Sequence, residues 1–218
     1  MKTENEVCPL CMSDRIEYGF QISGRRLNQC KDCESLFASP FPKPDKDSTS
    51  SEMSGSLERL SASPSLDKSH AYLAVRLRHR VGLIKNVLVA GMYGVDFEEA
   101  LDASDIRVSH ASSDTLVPGS FDACVLFEIF GESAHPFAQL SLVRRWLSPG
   151  GTLMLTLPVL DSPRAHKEKG SWEKIRTTRA FFFNTHNLSA LLVRCGFRDI
   201  SCWQEDESIV LMCRKINE

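Results

Sequence analysis

Phe121-Asp122-Ala123-Cys124-Val125-Leu126-Phe127 is a near-continuous apolar run, the pattern of a strand covered on both faces. A helical stripe follows, with Phe137, Leu140, Val143 and Leu147 on one face of a segment from Pro136 to Leu147. Ser148-Pro149-Gly150-Gly151 stops that helix and turns the chain into a second strand, Thr152 to Leu157. Upstream, Leu73, Leu77, Val81 and Ile84 form another helical stripe that closes just before Val87-Leu88-Val89-Ala90, a short buried strand. Gly91-Met92-Tyr93-Gly94 then leads into a helix from Asp96 to Ala103 and a strand candidate from Ile106 to Ala111. Downstream, a helix from Asn187 to Cys195 is capped by Gly196. Phe197 to Trp203 and Ser208 to Arg214 follow as two strands around the turn Gln204 to Glu207. Strands alternating with helices predict an α/β fold, with a mostly parallel sheet and helices on both faces. The closing pair, joined by so short a turn, predicts an antiparallel edge.

The N-terminal part follows a different rule. Cys8-Pro-Leu-Cys11 and Cys30-Lys-Asp-Cys33 are two CxxC knuckles separated by eighteen residues. Each knuckle aims two thiolates at one point, and two knuckles close a tetrahedral Cys₄ site around Zn²⁺. About forty residues cannot bury enough apolar surface to fold alone, so metal binding would supply the missing free energy. With four thiolates bound, no position stays open for a catalytic water, which makes the expected zinc structural. The polar start from Met1 to Cys8 has no apolar h-region, so reduced thiols in a cytoplasmic protein are expected rather than disulfides.

The 218 residues suit one ordinary domain plus a small module, and 42% hydrophobic residues suffice for a core. The reading divides the chain into a zinc ribbon (1–41), a linker rich in Ser, Pro and Asp (42–69) and an α/β domain (70–218). A helical turn is expected around Leu57 to Leu60. No apolar run is long enough to span a membrane. A net charge of −2 and a charge-balanced ribbon argue against a nucleic-acid binder. The remaining cysteines, Cys124, Cys195, Cys202 and Cys213, read as reduced core residues.

Phe121-Asp122 opening an apolar strand, Glu128-Ile-Phe after it, and Leu147-Ser-Pro-Gly-Gly151 before a strand ending at Pro158 resemble class I S-adenosylmethionine-dependent methyltransferases. The run Phe182-Phe183, Leu188, Leu191-Leu192 and Cys195-Gly196-Phe197 resembles the C-terminal helix and strand of the same family. A zinc ribbon ending in Leu36-Phe37-Ala-Ser-Pro40 resembles a bacterial subgroup that includes sugar C-methyltransferases. The resemblance covers the ribbon and residues 70 to 214 and implies a Rossmann-like sheet. It also implies a cofactor loop after the first strand of that sheet, bordered here by Gly91 and Gly94. The first half departs from the family pattern. Val89 holds the acidic position before the loop, and Tyr93 stands where a middle glycine lets the backbone approach the cofactor. Ser109 and His110 stand where the family places a ribose-binding carboxylate. Only about thirty residues separate Gly91 from Phe121, so one strand and one helix are expected to be missing, giving a shortened sheet. Alternatively, Asp105 to Leu116 corresponds to the family's third strand and its acidic turn, with Asp114 near the adenine edge. Glu132 and Arg179 occupy positions where the family often carries histidine.

Glu128 and His135 lie just past a strand's carboxyl end, where α/β folds place ligands, and are the candidate catalytic residues. Arg164, Lys167, Lys169, Lys174, Arg176 and Arg179 make the loop 164–179 basic, a candidate contact for an anionic ligand or an acidic partner surface. Trp172 and Phe181 to Phe183 lie close to it, and any left exposed would mark a contact surface. Two functions remain open. One is a non-catalytic binding or scaffold protein with a degenerate S-adenosylmethionine site, and the other an active methyltransferase on a small or sugar-derived substrate.

Overall fold

A computed structural model describes residues 7–22, 25–39, 69–91, 93–110, 116–132, 135–175, 179–205 and 207–216. Asp114, Arg176 and the expected turn at 57–60 lie outside them. The strands are β1 (Ile16–Ile22), β2 (Arg25–Cys30), β3 (Leu36–Ser39), β4 (Asn86–Gly91), β5 (Arg107–His110), β6 (Phe121–Phe127), β7 (Leu147–Pro158), β8 (Phe181–Phe182), β9 (Phe197–Glu205) and β10 (Ser208–Lys215). The helices are α1 (Ala71–Val81), α2 (Val95–Asp102), α3 (Pro136–Trp146), α4 (Pro163–Glu168) and α5 (Thr185–Arg194). Among the described residues no helix is long and apolar enough to cross a membrane.

The main sheet runs β5-β4-β6-β7-β10-β9. β5, β4, β6 and β7 pair in parallel, whereas β10 runs antiparallel to both β7 and β9. Alternating residues of each buried strand face opposite layers. Val87, Val89, Ala123, Val125 and Phe127 pack with Leu73, Ala74 and Leu77 of α1 and with Phe97 and Leu101 of α2. Leu88, Ala90, Cys124 and Leu126 pack with Leu140 and Val143 of α3 and Leu188, Leu191 and Leu192 of α5. Helices therefore cover both faces, as the apolar runs predict. Between Gly91 and Phe121 the described residues hold one helix and one strand, α2 and β5. β5 pairs directly with β4 and ends the sheet. That pairing sets Ser109 opposite Leu88 and His110 opposite Val89, at the end of the strand beside β4.

Ser148 to Gly151 differs from the expected turn. Leu147 already pairs with Phe121, and the register shifts before Ala123 meets Thr152. Gly150, with φ of 71°, accommodates the irregularity inside β7.

The second sheet, β1-β2-β3-β8, is antiparallel throughout. Its fourth strand comes from far along the chain, with Leu36 opposite Phe182 and Phe37 opposite Phe181. Cys8, Leu10, Cys30 and Phe37 join the same apolar cluster as α3 and α5. The N-terminal residues thus share a core with the main sheet.

Candidate functional site

The four knuckle cysteines converge. Their sulfurs all lie within 4.8 Å of one another. Cys8 Sγ is 3.6 Å from Cys33 Sγ, and Cys11 Sγ is 3.5 Å from Cys30 Sγ. These separations are too long for disulfides, and all four are free thiols. Hydrogen bonds from Cys33 and then Ser35 outweigh burial and hold the Cys8 thiol down at about 4. Cys33, bonded to Cys8, is pushed up in turn, and burial raises Cys11, so it is the convergence of four sulfurs that suits the cluster to a metal ion. Helix α5 supports it from behind, with Asn187 Nδ2 donating to the Cys33 carbonyl at 2.9 Å and Asn184 Nδ2 to Glu34 Oε2 at 3.1 Å. Arg194 Nη1 donates to the Leu10 carbonyl.

The carboxyl end of β4 is packed with the protein's own side chains. Tyr93 is 2% exposed, and its ring stacks on Phe127 at 5.2 Å and lies parallel to His110 at 6.4 Å. Its hydroxyl donates to Glu98, whose carboxylate also meets His110 Nε2 at 3.2 Å. Gly94 directs its amide N–H toward the same region, where His70 Nδ1 accepts it at 2.9 Å. The His70 ring rests on Phe127 at 5.0 Å. In return, the Asp96 carboxylate accepts the backbone N–H groups of His70 and Ala71 at 3.0 and 3.2 Å, and the Ser69 hydroxyl. The start of each of α1 and α2 is thereby satisfied by a side chain near the start of the other. Gly91 has φ of 102° and passes against β6. Gly94, with φ of −73° and ψ of 140°, has a conformation open to any residue.

Next to this packing, at the carboxyl ends of β6 and β7, lies a cavity of 460 Å³ lined by Ser69, His70, Glu128, Thr156, Glu173 and Glu207 among others. Glu128 adopts a left-handed φ of 56°, unusual for a side-chain-bearing residue. Its N–H donates to the Thr156 carbonyl at 2.7 Å, and its own carbonyl accepts Arg179 Nη2 at 2.6 Å. His135, by contrast, is exposed just before α3 and does not line this cavity. Glu132 is half-buried in the loop after β6.

The segment after β7 is more ordered than a basic loop. Pro163–Glu168 is helical, and the Ser162 hydroxyl caps it by accepting the Ala165 N–H at 3.1 Å. Trp172, Phe181, Phe182 and Phe183 are all buried, so no exposed aromatic remainder marks a contact surface. Glu207, 5% exposed, accepts Trp172 Nε1 at 2.6 Å and pairs with Arg164. Arg179 is also buried and holds the Glu128 and Phe130 carbonyls. Lys167 and Lys169 remain exposed. Cys202 is exposed too, and is not a core residue as expected. The sequence reading passed over His70 and Glu207. His70 sits at the end of a polar stretch, and Glu207 lies in what reads as a solvent turn.

The fold is that of the Rossmann-like methyltransferases. A Burkholderia thailandensis 1,6-didemethyltoxoflavin-N1-methyltransferase, solved with bound 1,6-didemethyltoxoflavin and S-adenosylhomocysteine, superposes over 92% of this chain and 100% of its own, with TM-score 0.50 and 14% identity. A SAM-dependent methyltransferase of Thermotoga maritima, described as a possible histamine N-methyltransferase, covers 66% of this chain and 89% of its own at 17% identity and TM-score 0.45. One from Archaeoglobus fulgidus covers 69% and 96% at 12% identity and TM-score 0.46. Two longer methyltransferases are matched over only 54% of their length. At these identities the likeness establishes the fold alone. No protein-family model matches the chain, and no curated protein matches it in sequence.

Proposed function

We propose that this chain is a methyltransferase-like protein whose S-adenosylmethionine site has degenerated, acting as a non-catalytic binding or scaffold protein that carries a structural zinc. The single observation behind this reading is the filled end of β4. Tyr93 is buried against Phe127, and His70 takes the Gly94 N–H that a cofactor loop would leave free. At the end of β5, Ser109 and His110 stand where the resemblance expects a ribose carboxylate. A carboxylate accepting two ribose hydroxyls contributes about 1.5–3 kcal/mol per bond, so its loss weakens binding by about a hundredfold or more.

The zinc reading rests on sulfur geometry. A tetrahedral zinc with sulfurs at about 2.3 Å sets them about 3.8 Å apart. Two pairs here are 3.5 and 3.6 Å apart, and all four sulfurs lie within 4.8 Å of one another. Cys8, Cys11, Cys30 and Cys33 would hold the ion and fix residues 1–41 as a ribbon.

One observation favours the alternative, an active methyltransferase on a small or sugar-derived substrate. The 460 Å³ cavity at the carboxyl ends of β6 and β7 carries Glu128, Glu173 and Glu207 against Lys174, a lining suited to a cationic ligand. Calorimetric titration of the full chain with S-adenosylmethionine and S-adenosylhomocysteine separates the two. No saturable heat at micromolar concentrations is expected. A micromolar dissociation constant would overturn the non-catalytic reading and restore the enzyme.

A further inference from the structure

A second concavity lies at the opposite end of the sheet from the filled cleft. It has a volume of 640 Å³ and opens where β7 begins and β10 ends, between the last turns of α3 and α5. That volume falls in the range of small-molecule sites, about 300–1,000 Å³. Arg144, Arg145, Arg194 and Lys215 line it, with Phe137 and Ser141 on one side, and no carboxylate among the described residues does so.

Two of these cations are held in place by backbone acceptors. Arg194 donates to the Leu10 carbonyl, and its guanidinium lies over the Phe137 ring at 4.9 Å. Lys215 Nζ donates to the Leu147 carbonyl at 2.7 Å. The Arg144 guanidinium lies against Gly196, where an added Cβ would sit 3.0 Å from both Cζ and Nε. Gly196, at φ of 81°, thereby leaves the guanidinium its space.

Cations at the ends of α3 and α5 complement the helix dipoles, which accounts for part of this charge. It does not account for Lys215, which comes from a strand, or for the gathering of all four around one hollow. Like charges held together repel, and a multivalent anion seated among them removes that repulsion. Guanidinium groups bind phosphate oxygens in bidentate fashion, while an ammonium serves as a point charge. The apolar Phe137 ring and the Ser141 hydroxyl offer contacts for the rest of a small molecule. A nucleic-acid backbone would need an extended basic stripe, and a chain of net charge −2 with its cations in one hollow does not supply it.

We propose that this basic cavity is a binding site for a small phosphate-bearing molecule, distinct from the degenerate cofactor cleft. The link from Arg194 to Leu10, between the first two knuckle cysteines, ties one wall of the site to the metal-binding unit.

Titration of the full chain with inorganic pyrophosphate at low ionic strength tests this directly, with thermal melting run on each variant. Saturable one-to-one binding is expected, weakening as salt rises. Arg145→Glu, which changes an exposed side chain, should reduce affinity about tenfold or more, and Lys215→Gln should do the same. Lys167→Gln, in α4, should leave it unchanged. Absence of saturable binding up to about 1 mM, a dissociation constant worth only about 4 kcal/mol, would overturn the proposal. So would unchanged affinity in a well-folded Arg145→Glu protein, or binding of a single-stranded oligonucleotide but not of pyrophosphate.

Discussion

Gly91 lies so close to β6 that an added Cβ would sit 2.0 Å from the Phe127 carbonyl oxygen, and its φ of 102° is one that residues with side chains rarely adopt. The sequence reading gave this residue a place in a cofactor loop, yet the contact alone is reason for glycine. Gly91→Ala must either push β4 away from β6 or rotate the backbone, at a cost of about 3 kcal/mol or more. Urea denaturation of the variant should show that loss. An unchanged midpoint would mean that the strand pair is softer than its spacing suggests, and would return Gly91 to a purely ligand-facing role. Tyr93 was legible as a departure from a glycine pattern, but the fate of its ring was not. Spacing along the chain does not reveal that Phe127, Phe97 and His110 gather around it. His70 was invisible for the same reason, because its partner, the Gly94 N–H, lies across a gap between helices.

The strands and helices of the main sheet were readable because apolar periodicity and breaker residues both marked them. Val87 to Ala90, Phe121 to Phe127 and the pair around Gln204 to Glu207 fall inside β4, β6, β9 and β10. Helix α4 was readable in principle, since Ser162-Pro163 is an N-cap followed by a proline at the first helical position. The charges that follow masked it. Strand β8 was not readable, because two residues carry no period and its pairing with β3 spans most of the chain. The cross-capping of α1 and α2 is likewise tertiary, and it carries a pH signature. Burial would raise the Asp96 carboxyl, but hydrogen bonds from His70, Ser69 and Ala71 outweigh it and hold it below the usual aspartate range. A depressed folded value means the contribution is full above the unfolded value, about 3.9, and is lost as pH falls through the folded one. Asp96→Ala should therefore cost about 1 kcal/mol near neutrality. In urea melts across pH, the gap to the parent protein should hold steady down to about pH 4 and shrink below it. A gap of constant size at every pH would show that the carboxylate charge plays no part in the cap.

At the scale of the molecule, the cysteine knuckles were the clearest signal in the sequence, and their integration was the least clear. A ribbon ahead of a polar stretch reads as a separate bead. The structure instead gives its sheet a strand from residues 181–182 and buries Phe37 at the edge of the main core. Asn184, Asn187 and Arg194, all at or on α5, hold the backbone or side chains of the knuckles. If the knuckles hold the proposed zinc, removing it should therefore not release an independent unit. Metal analysis of protein purified without chelator should find one zinc per chain, absent in the Cys8→Ser, Cys30→Ser double variant. Structural zinc binding is worth on the order of 10 kcal/mol in isolated small modules, and in a chain of this size each kcal/mol moves the melting point by about 2–4 °C. Even partial transmission of that loss predicts that chelation lowers Tm by about 10 °C or more, within a single calorimetric transition. The shared core is what makes the transition single, because the N-terminal residues cannot open without uncovering α5 and β8. Two transitions, with the upper one unmoved by chelator, would show that the main sheet stands without its N-terminal partner.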